Sequence, residues 1–155
     1  MRNSFKDPEL QRQFAEQGYI IVPLLTPDEA AYYRVRALAS MSEKPEINDP
    51  QGSLYGTLFD SDHRDAGSTI AAEIAQDRLE ALFDDYRVFG GSVMAKVPNS
   101  IALTTHQHHP VTNDIFEPTI HSWLTLEDVN DANGALRVVA GSHKILRHIQ
   151  SFNAA

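Results

Sequence analysis

Apolar residues recur at helical spacing in the first half of the chain and at alternate positions through much of the second. Asp7-Pro8-Glu9 supplies an N-cap, a proline suited to the first helical position and an acid for the first turn. Leu10 and Phe14 then mark an apolar face that Gly18 ends, so a short helix is predicted there. Tyr19-Ile-Ile-Val-Pro23 reads as a strand. Thr26-Pro-Asp-Glu29 has the spacing of a capping box and opens a helix to about Met41, with Ala30, Tyr33, Ala37 and Leu38 on its inner side. Ser42 to Ser68 carries scattered Pro, Gly, Asn and Asp around one short strand candidate, Leu54 to Phe59, and is expected to form a long mobile loop. Helical spacing returns at Ile70, Ile74, Leu79, Leu82 and Phe83, predicting a helix from Thr69 to Asp84.

The rest of the pattern is β-rich. Val88 to Val97 and Ser100 to Thr105 are strand candidates separated by a Pro98-Asn99 turn, and Pro110 to Pro118 is a loop. Thr119 to Glu127 alternates, with Ile120, Ser122, Leu124 and Leu126 on one face and Thr119, His121, Trp123 and Thr125 on the other. Asn133-Gly134 then turns the chain into Ala135 to Ala140. At the end of the second candidate strand stands His106-Gln107-His108-His109. A side-chain period of two puts His106 and His108 on one face, where two imidazoles can share a metal ion, and turns His109 to the other face, toward substrate or solvent. Gln107, Pro110 and the internal position exclude a purification tag.

Read on through Asn113-Asp114, Thr119-Ile-His-Ser-Trp-Leu-Thr-Leu126 and Asn133-Gly-Ala-Leu-Arg-Val-Val-Ala-Gly-Ser-His143, the sequence resembles the phytanoyl-CoA dioxygenase family of non-haem iron, 2-oxoglutarate-dependent oxygenases. The resemblance runs from about Phe14 to the end and is carried chiefly by Val93 to Lys144. It implies a mainly β fold with α elements: a double-stranded β-helix, or jelly roll, of the cupin-like kind. One domain would span 1–155, with a helical entry segment and loop over 1–85 and barrel strands over 86–155. It also implies Fe(II) and 2-oxoglutarate as cofactors, O₂ and a small organic or acyl molecule as substrates, and hydroxylation of a C–H bond. His106 matches the first residue of the family's His-X-Asp pair. His108 stands where that pair has its aspartate, which replaces an anionic oxygen donor by a neutral nitrogen and opens the site to Zn, Ni or Cu as well as iron. The family's distal histidine, and the arginine that pairs with the far carboxylate of 2-oxoglutarate, fall beyond Gly141-Ser-His143. The chain is therefore expected to be the front part of a longer domain, an incomplete barrel whose exposed edges favour a homodimer.

Single residues carry further readings, of which those of Trp123 and His143 follow from the resemblance. Trp123 would line the co-substrate pocket, with a core tryptophan as the equal alternative. Lys96 could reach an anionic co-substrate or acyl group, against the default of an exposed lysine. His121 either turns in beside the metal or packs as a hydrogen-bonded core histidine, and the second reading is preferred. His143 reads as a structural residue of the turn after a strand. Asp114 and Glu117 follow the histidine pair at loop distances without support from the family pattern, and His63 belongs to a solvated charge cluster with Asp62, Arg64 and Asp65. The Ser42 to Ser68 loop would cover the substrate.

With 13 Lys and Arg against 21 Asp and Glu, the formal charge is −8, and the absence of a basic run argues against nucleic acid or an anionic membrane surface as partner. Without cysteine, only His, Asp and Glu remain as strong metal ligands. No apolar run resembles a signal peptide or a membrane span, so a cytoplasmic protein is expected. Two alternatives stand beside the oxygenase: a cupin-like, His-rich metalloenzyme, and a non-catalytic jelly-roll binding module without a complete metal site.

Overall fold

The computed structural model describes residues 2–108 and 119–145. Its first half follows local signals closely. Helix α1 (Pro8–Gln17) is capped by the Asp7 carboxylate, which accepts from the Glu9 amide at 2.7 Å, and it ends at Gly18 with φ 83°. Helix α2 (Pro27–Ala39) carries the capping box: the Glu29 amide donates to the Thr26 hydroxyl at 3.3 Å and the Thr26 amide donates to the Glu29 carboxylate at 2.8 Å. Tyr19 to Pro23, expected as a strand, enters no ladder. Ile21 lies exposed, and β propensity without a partner edge does not make a strand.

Helix α3 (Arg64–Leu82) starts more than a turn before the Thr69 expected from the sequence, and the loop after α2 is correspondingly shorter. Gly67 accounts for the difference. It reads as a loop residue, yet it lies inside α3, where a side chain would put a Cβ 2.1 Å from the Thr57 hydroxyl. The missing side chain lets α3 settle on the 3-10 turn Thr57–Phe59, whose Thr57 is fully buried. Just before that turn, β1 (Tyr55–Gly56) pairs antiparallel with β2 (Met94–Ala95), Tyr55 opposite Ala95 and Gly56 opposite Met94. The Thr57 amide donates to the Val93 carbonyl at 2.9 Å and carries the pairing one residue further.

Ala37, Ile70, Ile74 and Val93 form the buried core, with Leu25, Tyr33, Met41, Leu124 and Leu126 packed around it. An aromatic cluster closes the far end: Phe5 meets Phe14 and Phe83 at centroid distances of 5.1 and 5.0 Å, and Phe83 meets Tyr86 at 5.4 Å. The loop before β1, expected to be mobile, is heavily bonded instead. The Asp49 carboxylate accepts from the amides of Gln51, Ser53 and Leu54 at 2.8, 2.6 and 2.6 Å, and the Asn48 amide group exchanges two hydrogen bonds with the Gly56 backbone.

Beyond Val88 the chain keeps the alternation but forms no ladder outside Met94–Ala95 among the described residues. Ser100 to Thr105, Thr119 to Glu127 and Ala135 to Ala140 run without strand pairing. Leu124 and Leu126 turn inward onto the core, while His121, Trp123 and Thr125 face out. Both predicted turns form: the Ser100 amide donates to Val97 at 3.1 Å around Asn99, and the Ala135 amide donates to Asn130 at 3.0 Å around Gly134. Helix α4 (Ser142–Ile145) docks on the end of α1, where the Gly141 amide donates to Gln17 at 2.7 Å. His143 takes its structural role there, with Nε2 3.1 Å from the Ala15 carbonyl and its ring in the space that a side chain at Gly18 would need.

Candidate metal centre

The His106 to His108 segment lies beside the bonded loop, since the Thr104 hydroxyl donates to the Gln51 side chain at 3.0 Å. His106 and His108 point the same way, as a period of two requires. Their rings stack with centroids 5.0 Å apart and planes 11° from parallel. The Nδ1 of His106 sits 2.7 Å from the Thr104 carbonyl. A carbonyl can only accept, so this nitrogen carries the proton and the lone pair is on Nε2, the tautomer that suits a metal ligand held by a backbone carbonyl.

His121, preferred as a core residue on sequence grounds, stands exposed against His108 instead. The two Nδ1 atoms are 3.1 Å apart, and the rings meet edge to face with centroids at 4.3 Å. The signal was present in the alternation that put His121 and Trp123 on the outer face, away from Leu124 and Leu126. Desolvation lowers the pKa of His108 below the ordinary histidine value, with repulsion from His121 and then His106 adding to it. Such a shift favours the neutral ring, in which one nitrogen keeps a lone pair for a metal ion. The three histidines make two adjacent pairs rather than one converging trio, and among the described residues no three His, Asp or Glu side chains are grouped to hold a metal ion. His109, Asp114 and Glu117 lie outside the described residues.

Trp123 is two residues along the same face as His121 and 48% exposed. Lys96 is committed to the backbone: its ammonium donates to the carbonyls of Ser53, at 2.8 Å, and Ile101, and its stem underlies Gly134. It thus ties β2 to the bonded loop, the histidine segment and the Asn133-Gly134 turn. His63, expected to be solvated, reaches the Asp60 carboxylate at 3.0 Å, and the buried Tyr55 hydroxyl donates to the same carboxylate at 2.8 Å. The His63 contact, then that of Tyr55, holds the Asp60 pKa down at about 2. Two open clefts flank the end of α2, one lined by Leu38, Met41 and Pro45 and the other by Arg36, Thr69 and Ile70. No residue of the histidine cluster lines either.

The family model of phytanoyl-CoA dioxygenase (PhyH) matches residues 14–154, which include the whole histidine cluster. The chain belongs to the phytanoyl-CoA dioxygenase family. No curated protein and no solved structure matches it. Membership in the phytanoyl-CoA dioxygenase family supports a dioxygenase of the iron and 2-oxoglutarate kind, acting with O₂ on a small molecule. Among the described residues no helix is long and apolar enough to cross a membrane. Imidazole nitrogens, one ring being oriented by the Thr104 carbonyl, fit a divalent cation.

Proposed function

We propose that the chain is an Fe(II)/2-oxoglutarate-dependent dioxygenase that hydroxylates a small organic or acyl substrate on a jelly-roll scaffold. The observation that carries this reading is the pair His106 and His108, stacked side by side within the matched residues 14–154, where the resemblance leads one to expect metal ligands. Bound iron with 2-oxoglutarate supplies the oxidising equivalent, one oxygen atom of O₂ going to the substrate C–H bond and the other to succinate, with loss of CO₂. This chain's own residues supply position. Thr104 fixes the ring of His106 with Nε2 available, and His108 and His106 hold each other by stacking. Trp123 offers an aromatic wall on the side of His121, and the loop around Asp49 to Ser53 covers the segment from the side of Thr104.

In the purified full chain loaded with Fe(II), succinate forms from 2-oxoglutarate on this reading. His106→Ala lowers both metal content and succinate by about 10-fold or more, the scale seen when groups around a metal are removed. Unchanged metal loading in the variant would refute it. A cupin-like, His-rich metalloenzyme is the second reading, favoured by His108 in the carboxylate position and by the imidazole of His121 3.1 Å away. Metal loading without any turnover of 2-oxoglutarate selects it.

A further inference from the structure

We propose that His121 is a metal ligand, and that His108 and His121 bind one divalent transition-metal ion through their Nδ1 atoms. The inference rests on reading the His106 to His108 segment as metal-binding, and it does not depend on the oxygenase chemistry.

The geometry is specific. Two metal–nitrogen bonds of about 2.1 Å spanning the observed 3.1 Å edge subtend roughly 95°, between the octahedral and tetrahedral angles. The rings belong to separate described segments, and they meet at 74°. Their Nδ1 atoms face each other at that distance, whereas the Nδ1 of His106 is taken by Thr104. The two neighbouring histidines of the His-Gln-His run are therefore presented differently, His106 through Nε2 and His108 through Nδ1.

The packing explains how the sequence holds this arrangement. Leu124 and Leu126 pack against the core, so the strand-like alternation of the segment directs His121 outward, three and five residues before them. Arg34 of α2 pins the same segment through Glu127 at 3.2 Å. On the other side, Lys96 and Thr104 anchor the run that ends in His108. Without a metal, one Nδ1 donates its proton to the other. When the ion binds, that proton moves to the ring's own Nε2, so both rings stay neutral and no net proton is released above the ordinary histidine range.

The test uses the full chain labelled with ¹⁵N-histidine and titrated with ¹¹³Cd²⁺ as the probe. Scalar coupling from one cadmium to Nδ1 of both His108 and His121 is expected. Coupling to neither, or to His108 alone, overturns the proposal, and because the measurement is made on the unmodified chain it does not depend on a variant folding. Zn²⁺ titration calorimetry of His106→Gln, His108→Gln and His121→Gln then separates the two readings. The proposal expects His121→Gln to weaken zinc by about 10-fold or more, as much as His108→Gln. Wild-type affinity in His121→Gln with weakened binding in His106→Gln overturns this inference and leaves the proposed function standing. The converse, loss in His108→Gln and His121→Gln with His106→Gln unchanged, upholds the inference and removes His106 from the site.

Discussion

The first half of the molecule and the second are written in the same alphabet of apolar and polar positions, yet they end in different states. Between Ser4 and Phe83, α2 and α3 bury Ala37, Ile70 and Ile74 in one core, Phe14 of α1 packs on the buried Phe5, and the links are short-range caps and close contacts. Between Val88 and Ile145 the alternation survives, but Leu136, Val138 and Val139 stay exposed and, among the described residues, the ladder stops after two residues per strand. Helix formation is completed by the segment itself, whereas a strand is completed only by another strand that meets it in register. The contrast places the better-buried part of the molecule behind the histidine cluster, with Leu124 and Leu126 among the points where the second half is held to the first.

The largest expected effect lies in the first half. Phe83 packs on Phe5 and Tyr86 and joins Phe5 in an isolated bridge, so Phe83→Ala is expected to destabilise the chain by about 3–5 kcal/mol in chemical denaturation. A loss below about 1 kcal/mol would mean that the aromatic cluster is not cooperative with the helical core.

Acid comes next. The Glu29 carboxyl is held down at about 2 by hydrogen bonds from the Thr26 amide, then the Thr26 hydroxyl, then Arg78, and Asp60 is held near the same value by His63 and Tyr55. For groups whose folded pKa is depressed, the stabilisation is complete above the ordinary carboxyl value and is lost as protons are taken up on the way down. Helical circular dichroism should therefore hold down to about pH 4.5, the usual Glu value, and fall from there toward pH 2. Loss of the helices well above pH 4.5 would show that other groups control the joint between α2 and α3.

The smallest effect is the sharpest test of the contrast. Val139 is 63% exposed, so Val139→Ser is expected to change stability by no more than about 0.5 kcal/mol. A cost approaching that of Phe83→Ala would mean that the Ala135 to Ala140 segment is buried in solution, as a closed jelly roll requires.

What could be read in the sequence follows the same division. Asp7, Gly18 and the Thr26 to Glu29 box mark helix ends by chemistry confined to four residues, and the structure places them as read. Gly67 misled because its reason lies in Thr57, a partner distant in sequence that no local pattern names. At the site, the period of two brought His106 and His108 together correctly. His121 was visible only as one of an outward-facing set, since its pairing with His108 depends on how two separate segments lie side by side. Lys96 could be read as a free cation for an anionic ligand because nothing local announces the two carbonyls it binds.

X-ray absorption at the iron edge of the Fe(II)-loaded full chain tests the central claim most directly, that imidazoles of this cluster hold the metal. The outer-shell scattering of at least two rigid imidazole rings is expected, diminished in His108→Gln. A spectrum described by oxygen donors alone, unaltered by that substitution, would contradict it.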